Sequence, residues 1–380
     1  MSGPRIAYII NSLEGGGAAL PVPDVIGTMI RSGAQVRLFA LSRRDGRAAS
    51  ALDAAEIDYR VSDAGKSDHL AAARWLHREL KAFGPTVIWT SLTQATIIGQ
   101  IMGLLMRKPV VSWQHNAYLK PANRRLLALT RRLSRVWVAD SRSVAALTHS
   151  QLGIDPADIM IWPLFHADPD APAALPPRND GMFRIGSLGR LHPNKGYDIL
   201  VAALAIVSRD APDVAGRLQV VIGGEGAERD RLTGLASQYG VTNLLLAGYQ
   251  ASPRNFLAGL DGYIQPSRAE GLCIAAHEAM QAGLPVIVSD VGEMPHSVLP
   301  GETGLIVPPE DAQALAKAII ALVRDPARAG SMGASGRARI LSEFSAARFE
   351  AAGRAVMARI SEWGVAAPRT GISKNNPLPD

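Results

Sequence analysis

Two carboxylates set eight positions apart are the residues in this chain best spaced to act on one ligand. They are Glu270 and Glu278, in the run Pro266-Ser267-Arg268-Ala269-Glu270-Gly271-Leu272-Cys273-Ile274-Ala275-Ala276-His277-Glu278-Ala279-Met280. Asp261 to Gln265 ahead of it reads as a strand, Gly271 as a tight turn, and Leu272 to Gln281 as a buried helix of apolar and small residues. The first turn of such a helix has backbone N–H groups without intrahelical partners, and these favour an anion. An anion held there would lie beside Glu270, with Glu278 further along the helix. A sugar joined to a diphosphate and a ribose has that order of groups: hydroxyls, negative charge, hydroxyls. Glutamates also collect near helix starts because the helix dipole favours them, so by themselves these two fit a capping or solvated role as well.

Other candidates lie at strand ends. Arg190 and Lys195, in Gly189-Arg190-Leu191-His192-Pro193-Asn194-Lys195-Gly196, sit on a loop between a strand (Met182 to Leu188) and a helix (Tyr197 to Arg209). A guanidinium and an ammonium together neutralise a diphosphate well, although loop cations are commonly just solvated. His115 lies just past the strand Pro109 to Trp113, at Gln114-His115-Asn116, where open α/β sheets place ligand contacts. A lone histidine is more often structural. Gly15-Gly16-Gly17 follows the strand Arg5 to Ile10 and would let backbone approach a phosphate, though plain turn chemistry explains it equally. Pro21 and Pro23 interrupt the helix expected after it. Gly223-Gly224-Glu225-Gly226 follows the strand Leu218 to Ile222 but lacks the full dinucleotide fingerprint. Asp168 and Asp170 resemble a metal-binding pair but stand among prolines without a strand, which marks them as linker. No Cys/His cluster has zinc spacing.

These sites need more than one core to carry them. At 380 residues, 47% of them hydrophobic, the chain suits two domains, each with a buried sheet. One cysteine, Cys273, excludes an internal disulfide framework and suits a reducing cytosol. The first apolar run, Ile6 to Ile10, is too short for a signal peptide, and no run is long enough to span a bilayer; the expectation is a soluble or peripheral cytoplasmic protein. The net charge of +6 belongs to the first half, where residues 1–180 hold 21 Lys and Arg against 15 Asp and Glu. Nine of those basic residues fall within 107–142, against one acid, Asp140. Without a helix-turn-helix, zinc finger or RNA-binding aromatic pattern, nucleic acid is the weakest partner for this charge. In Lys120 to Arg135, Leu126, Leu129 or Thr130, Leu133 and Trp137 fall on one helical face beside Arg124, Arg125, Arg131, Arg132 and Arg135. Two readings stand: a solvated basic face over a buried stripe, or a surface at 120–135 that docks on an anionic membrane.

The E-x7-E pattern after Pro266-Ser267, with Glu278-Ala279-Met280 and Ala282-Gly283-Leu284-Pro285-Val286-Ile287, resembles the retaining nucleotide-sugar glycosyltransferases of family 4. The resemblance covers nearly the whole chain, most strongly Phe183 to Val307 and most loosely Arg43 to Lys81. It implies an α/β fold with two Rossmann-like domains facing across a cleft, the GT-B arrangement. The expected division is an acceptor-side domain at 1–170, a linker at 171–180 and a nucleotide-sugar domain at 181–345. A closing helix at 346–363 would cross back, and 364–380 would be a tail. It also implies roles. Arg190 and Lys195 match the family's diphosphate pair, with the amides of Leu272, Cys273 and Ile274 adding the helix dipole. Glu278 would take the ribose, Glu270 the transferred sugar, and His115 would approach that sugar. Gly16 and Gly17 would face the donor phosphates from across the cleft, with Gly224 on the donor side and the Asn243 to Tyr249 segment beside the base. Glu293 stands where the family often has a second glycine.

The implied reaction is metal-independent hexosyl transfer with no cofactor beyond the nucleoside-diphosphate sugar. The acceptor would be a hydroxyl of a saccharide, lipid or lipid-linked saccharide in cell-envelope glycan or glycolipid synthesis. A sugar-nucleotide epimerase or hydrolase of the same architecture, and a non-catalytic nucleotide-sugar binder, remain as alternatives.

Overall fold

A computed structural model describes residues 3–364, apart from 66, 67, 116, 117, 177 and 179. Asn116, Pro177 and the expected tail beyond Gly364 thus lie outside the described residues. The first half forms strands β1 (Arg5–Ile10), β2 (Gln35–Ala40), β3 (Tyr59–Val61), β4 (Val87–Ser91), β5 (Val110–Gln114), β6 (Val136–Ala139) and β7 (Ile159–Ile161). They make one sheet in the order β3-β2-β1-β4-β5-β6-β7. The second half forms β8 (Phe183–Leu188), β9 (Leu218–Gly223), β10 (Leu244–Gly248), β11 (Gly262–Gln265), β12 (Val286–Ser289) and β13 (Gly304–Val307). Their order is β10-β9-β8-β11-β12-β13. Every pairing between these strands is parallel.

The sequence dictates this arrangement through burial. Strands β4, β5 and β6 are buried at every position, and β1 at all but its first. A strand covered on both faces must be apolar without alternation, the mark of a parallel sheet with helices on both sides. In the first domain, one face packs on the helix Val22–Arg31 and the other on His69–Phe83 and Thr93–Met106. Helix ends follow from local chemistry. Asp68 caps His69–Phe83 by accepting the Ala71 N–H, and Gly84 ends it in a left-handed conformation. Pro21 and Pro23 fall at the N-cap and first turn of Val22–Arg31, so they start that helix instead of breaking it.

Both sheets reverse strand order between their first and fourth strands, and the crevice at such a switch point is where ligands bind. The glycine loop follows β1 and the Arg190/Lys195 loop follows β8; Ser91 ends β4 and Glu270 follows β11. The last long helix, Ala346–Ser361, leaves the second domain and packs on Val22–Arg31. Phe349, Val356, Met357 and Ile360 complete the first domain's core, and Glu350 pairs with Arg31.

The basic segment differs from its expected form. It is helical over Pro121–Thr130, followed by a short 3-10 turn, and Leu127 is its fully buried residue. Leu126 and Leu129 point outward, and Trp137 belongs to β6. Among the described residues no helix is long and apolar enough to cross a membrane.

Candidate active site

The second domain brings Lys195 and Glu270 into contact. Lys195 Nζ donates to Glu270 Oε1 at 2.7 Å. The same oxygen accepts the Ser267 hydroxyl at 2.5 Å and Gln265 Nε2 at 3.3 Å. Ser267 and Gln265 are buried, so the carboxylate is aimed by groups that cannot turn to solvent. Burial is the largest single influence on the Lys195 ammonium and pushes it down, but the charge and hydrogen bond of Glu270, together with the neighbouring Cys273 and Tyr197, outweigh it and hold the group above its ordinary value. Gly196 makes this geometry possible. Its φ is +64°, and a Cβ there would stand 1.9 Å from the Pro266 carbonyl oxygen.

Glu278 is different in kind. It is half-buried, its carboxylate forms no hydrogen bond or ion pair with another described residue, and burial raises its pKa to about 7, with Arg254 pulling the other way. A desolvated, unpaired carboxylate is costly unless a ligand completes it. At the front of the same helix, Ile274–Gln281, the amides of Leu272, Cys273, Ile274 and Ala275 donate to no described backbone carbonyl. Cys273 caps the helix at φ +62°, and burial pushes its thiol up, well out of reach of ionisation at neutral pH.

The first domain closes over this half. A Cβ on Gly17 would lie 3.5 Å from Ile274 Cδ1, whereas Gly16 faces open space. The His115 carbonyl oxygen meets the Glu270-Gly271 turn so closely that a Cβ on Gly271 would stand 2.4 Å away. The His115 ring is buried against Trp113, with Nδ1 2.8 Å from Asp140 Oδ1 and Nε2 2.6 Å from Ser91 Oγ. Nδ1–H donated to the carboxylate leaves Nε2 to accept the Ser91 hydroxyl. Asp140 and Ser91 were not singled out from sequence; the only signal was their position at strand ends. Glu293 Oε2 accepts the Ser143 N–H at 3.1 Å, a contact across the cleft at the start of helix Arg142–Leu152. At the other end of the cleft the Arg47 guanidinium lies 3.7 Å from the Tyr249 ring centroid and pairs with Glu225.

Two expected contributors stand apart. Arg190 is exposed and has no ion pair or side-chain hydrogen bond with another described residue. Gly224 gives its N–H to the Gly248 carbonyl and packs on the Gly189-Arg190 backbone, so what it offers the site is position. In the linker Asp168 accepts from Arg254 and Asp170 N–H, and no described group of three or more His, Cys, Asp or Glu is placed to hold a metal.

Two parallel sheets in the same strand order, with their ligand-side loops facing each other, define the GT-B fold. Anabaena HepE in complex with UDP-glucose superposes with a TM-score of 0.81 at 19% identity, over 94% of this chain and all of that one. Sucrose-phosphate synthase from Thermosynechococcus elongatus gives 0.75 at 21% identity, over 96% and 100%. Residues 15–165 match the family described as Glycosyltransferase Family 4, and 175–339 match Glycosyl transferases group 1. The chain belongs to the family 4 type of glycosyltransferases.

Among its relatives is a GDP-mannose-dependent alpha-(1-6)-phosphatidylinositol monomannoside mannosyltransferase of Mycolicibacterium smegmatis, 35% identical over 206 residues, 51% of each chain. A lipopolysaccharide core biosynthesis mannosyltransferase of Rhizobium meliloti is 32% identical over 170 residues, 42% of this chain and 47% of the relative. The chain spans about half the length of the curated relatives it matches.

Proposed function

We propose that the cleft binds a nucleoside-diphosphate sugar and that the protein transfers the sugar to a hydroxyl acceptor with retention of configuration. The observation that carries this is Glu278, unpaired and raised to about 7, behind the open amides of its helix. Ribose hydroxyls donating to that carboxylate would place the diphosphate at the helix start. Lys195 and the free Arg190 would then flank it.

The bond from the sugar's anomeric carbon to the β-phosphate oxygen breaks with its electron pair on the phosphate. The acceptor oxygen bonds to that carbon on the same face, and its proton passes to the departing phosphate. Charge grows on the leaving oxygen as the bond breaks, so fixed cations and amide dipoles stabilise the transition state more than the ground state. These groups supply the neutralisation a metal would otherwise give, and the reading has no metal in it. Lys195 is shared between Glu270 and the phosphate; as it turns to the phosphate, Ser267 and Gln265 keep Glu270 aimed at the sugar hydroxyls.

The names of the relatives favour GDP-mannose as donor and a lipid or lipid-linked saccharide as acceptor, while HepE favours a UDP-sugar. The test is incubation with GDP-mannose or UDP-glucose, with and without phosphatidylinositol mannoside or lipopolysaccharide core acceptors, read by mass spectrometry and by NMR of the anomeric centre. Acceptor-dependent transfer with retention is expected. A changed sugar or free sugar without acceptor would give the epimerase or hydrolase reading, and tight donor binding without turnover the binding module.

A further inference from the structure

Helix Thr93–Met106 carries its apolar surface beyond what the core uses. Ala95, Ile98 and Met102 are buried against the first sheet, and Ile97 joins the small core around Leu127. Ile101 and Leu104 continue from Ile97 along the same side, yet both are exposed, and Leu105 beside them is too. Leu104 and Leu105 are each 64% exposed. Helix Pro121–Thr130 packs alongside. Because Leu127 takes the inward position, Leu126 faces out and Leu129 is 80% exposed. Single exposed leucines are ordinary; four leucines and an isoleucine exposed on two adjoining helices form a patch. Around it stand Arg124, Arg125 and Arg132, exposed and without an ion pair to any described residue. The one acid within 107–142, Asp140, is buried on His115.

We propose that this two-helix surface docks the protein on an anionic lipid bilayer, leucines entering the interface and arginines meeting lipid phosphates. Exposed apolar side chains beside unneutralised cations suit a fluid anionic interface. A folded partner would need a groove lined with matching acids. Helix Thr93–Met106 starts beside the cleft, where Ala95 N–H donates to Asn11 Oδ1, and runs away from it, so the leucines at its far end are clear of the donor site. Vesicle binding therefore stands or falls independently of donor chemistry.

The test is co-flotation of the full chain with vesicles of phosphatidylcholine alone or mixed with phosphatidylglycerol. Binding to the mixed vesicles only, weakening with salt, is expected. The Arg124→Glu/Arg125→Glu/Arg132→Glu variant should lose about a hundredfold in partitioning, each arginine near the surface counting for about fivefold. Leu104→Asn/Leu105→Asn/Leu129→Asn should also lose binding, with circular dichroism unchanged because all six side chains are exposed. Absence of wild-type flotation, equal binding to neutral vesicles, or variants that float like wild type would overturn the proposal. So would a lipid-independent dimer abolished by the leucine variant, which would assign the patch to a second copy.

Discussion

Glu278→Gln should stabilise the fold at alkaline pH while weakening donor binding. Folded, the carboxyl keeps its proton to about pH 7; unfolded, it releases it near its ordinary 4.5. The folded state thus binds more protons between those values, and stability from this group is greatest below them and falls as pH rises through the window. The full shift is worth about 3 kcal/mol, and nearer 2 for a half-buried group partly screened by water. Gln lacks the charge, so the variant should gain about 2 kcal/mol over wild type at pH 8 and little at pH 5, measured by urea titration at both. A ribose hydroxyl bonded to the ionised carboxylate is worth about 1.5–3 kcal/mol, so at pH 8 calorimetry with a nucleotide sugar should show affinity about ten- to a hundredfold weaker. Wild-type affinity should rise from pH 6 to 8 and the variant's should not. A variant less stable than wild type at pH 8, or one that binds the nucleotide sugar equally well, would refute the role given to this carboxylate.

Other consequences follow from the same geometry. Lys195→Ala should lower turnover about a hundredfold or more, as measured with donor and acceptor at saturation, and should also lower the melting temperature because Glu270 loses its partner. Gly196→Ala should destabilise by more than the ~1–2 kcal/mol of a left-handed alanine, because its Cβ also meets the Pro266 carbonyl; a denaturant midpoint equal to wild type would contradict the loop geometry. Asp140→Asn should reduce kcat with little change in nucleotide affinity, since its carboxylate is engaged by His115 Nδ1 and acts through that ring; an unchanged kcat would make the pair purely structural.

What the sequence made legible was local. Gly189-Arg190 to Lys195-Gly196 and Glu270 to Glu278 each span one strand-to-helix junction, so spacing alone carries their geometry. The Asp140, His115 and Ser91 contacts join the ends of three strands and only the sheet order brings them together. Helix Thr93–Met106 was not singled out because it is apolar on nearly every side and shows no stripe, and β3 is only three residues long. In the arginine-rich helix, Leu126, Leu127 and Leu129 allow two overlapping apolar faces; packing on Leu152 and Ile154 selects Leu127, which periodicity could not do. The salt bridge between Lys195 and Glu270 also escaped, because each was assigned to a different part of the ligand.

The most direct test is a crystal structure of the protein with a nucleoside-diphosphate sugar. The diphosphate is expected at the start of helix Ile274–Gln281, within hydrogen-bonding distance of Lys195 and Arg190, with the ribose on Glu278. A nucleotide bound anywhere else, or one in the cleft with its ribose turned away from Glu278, would contradict this placement.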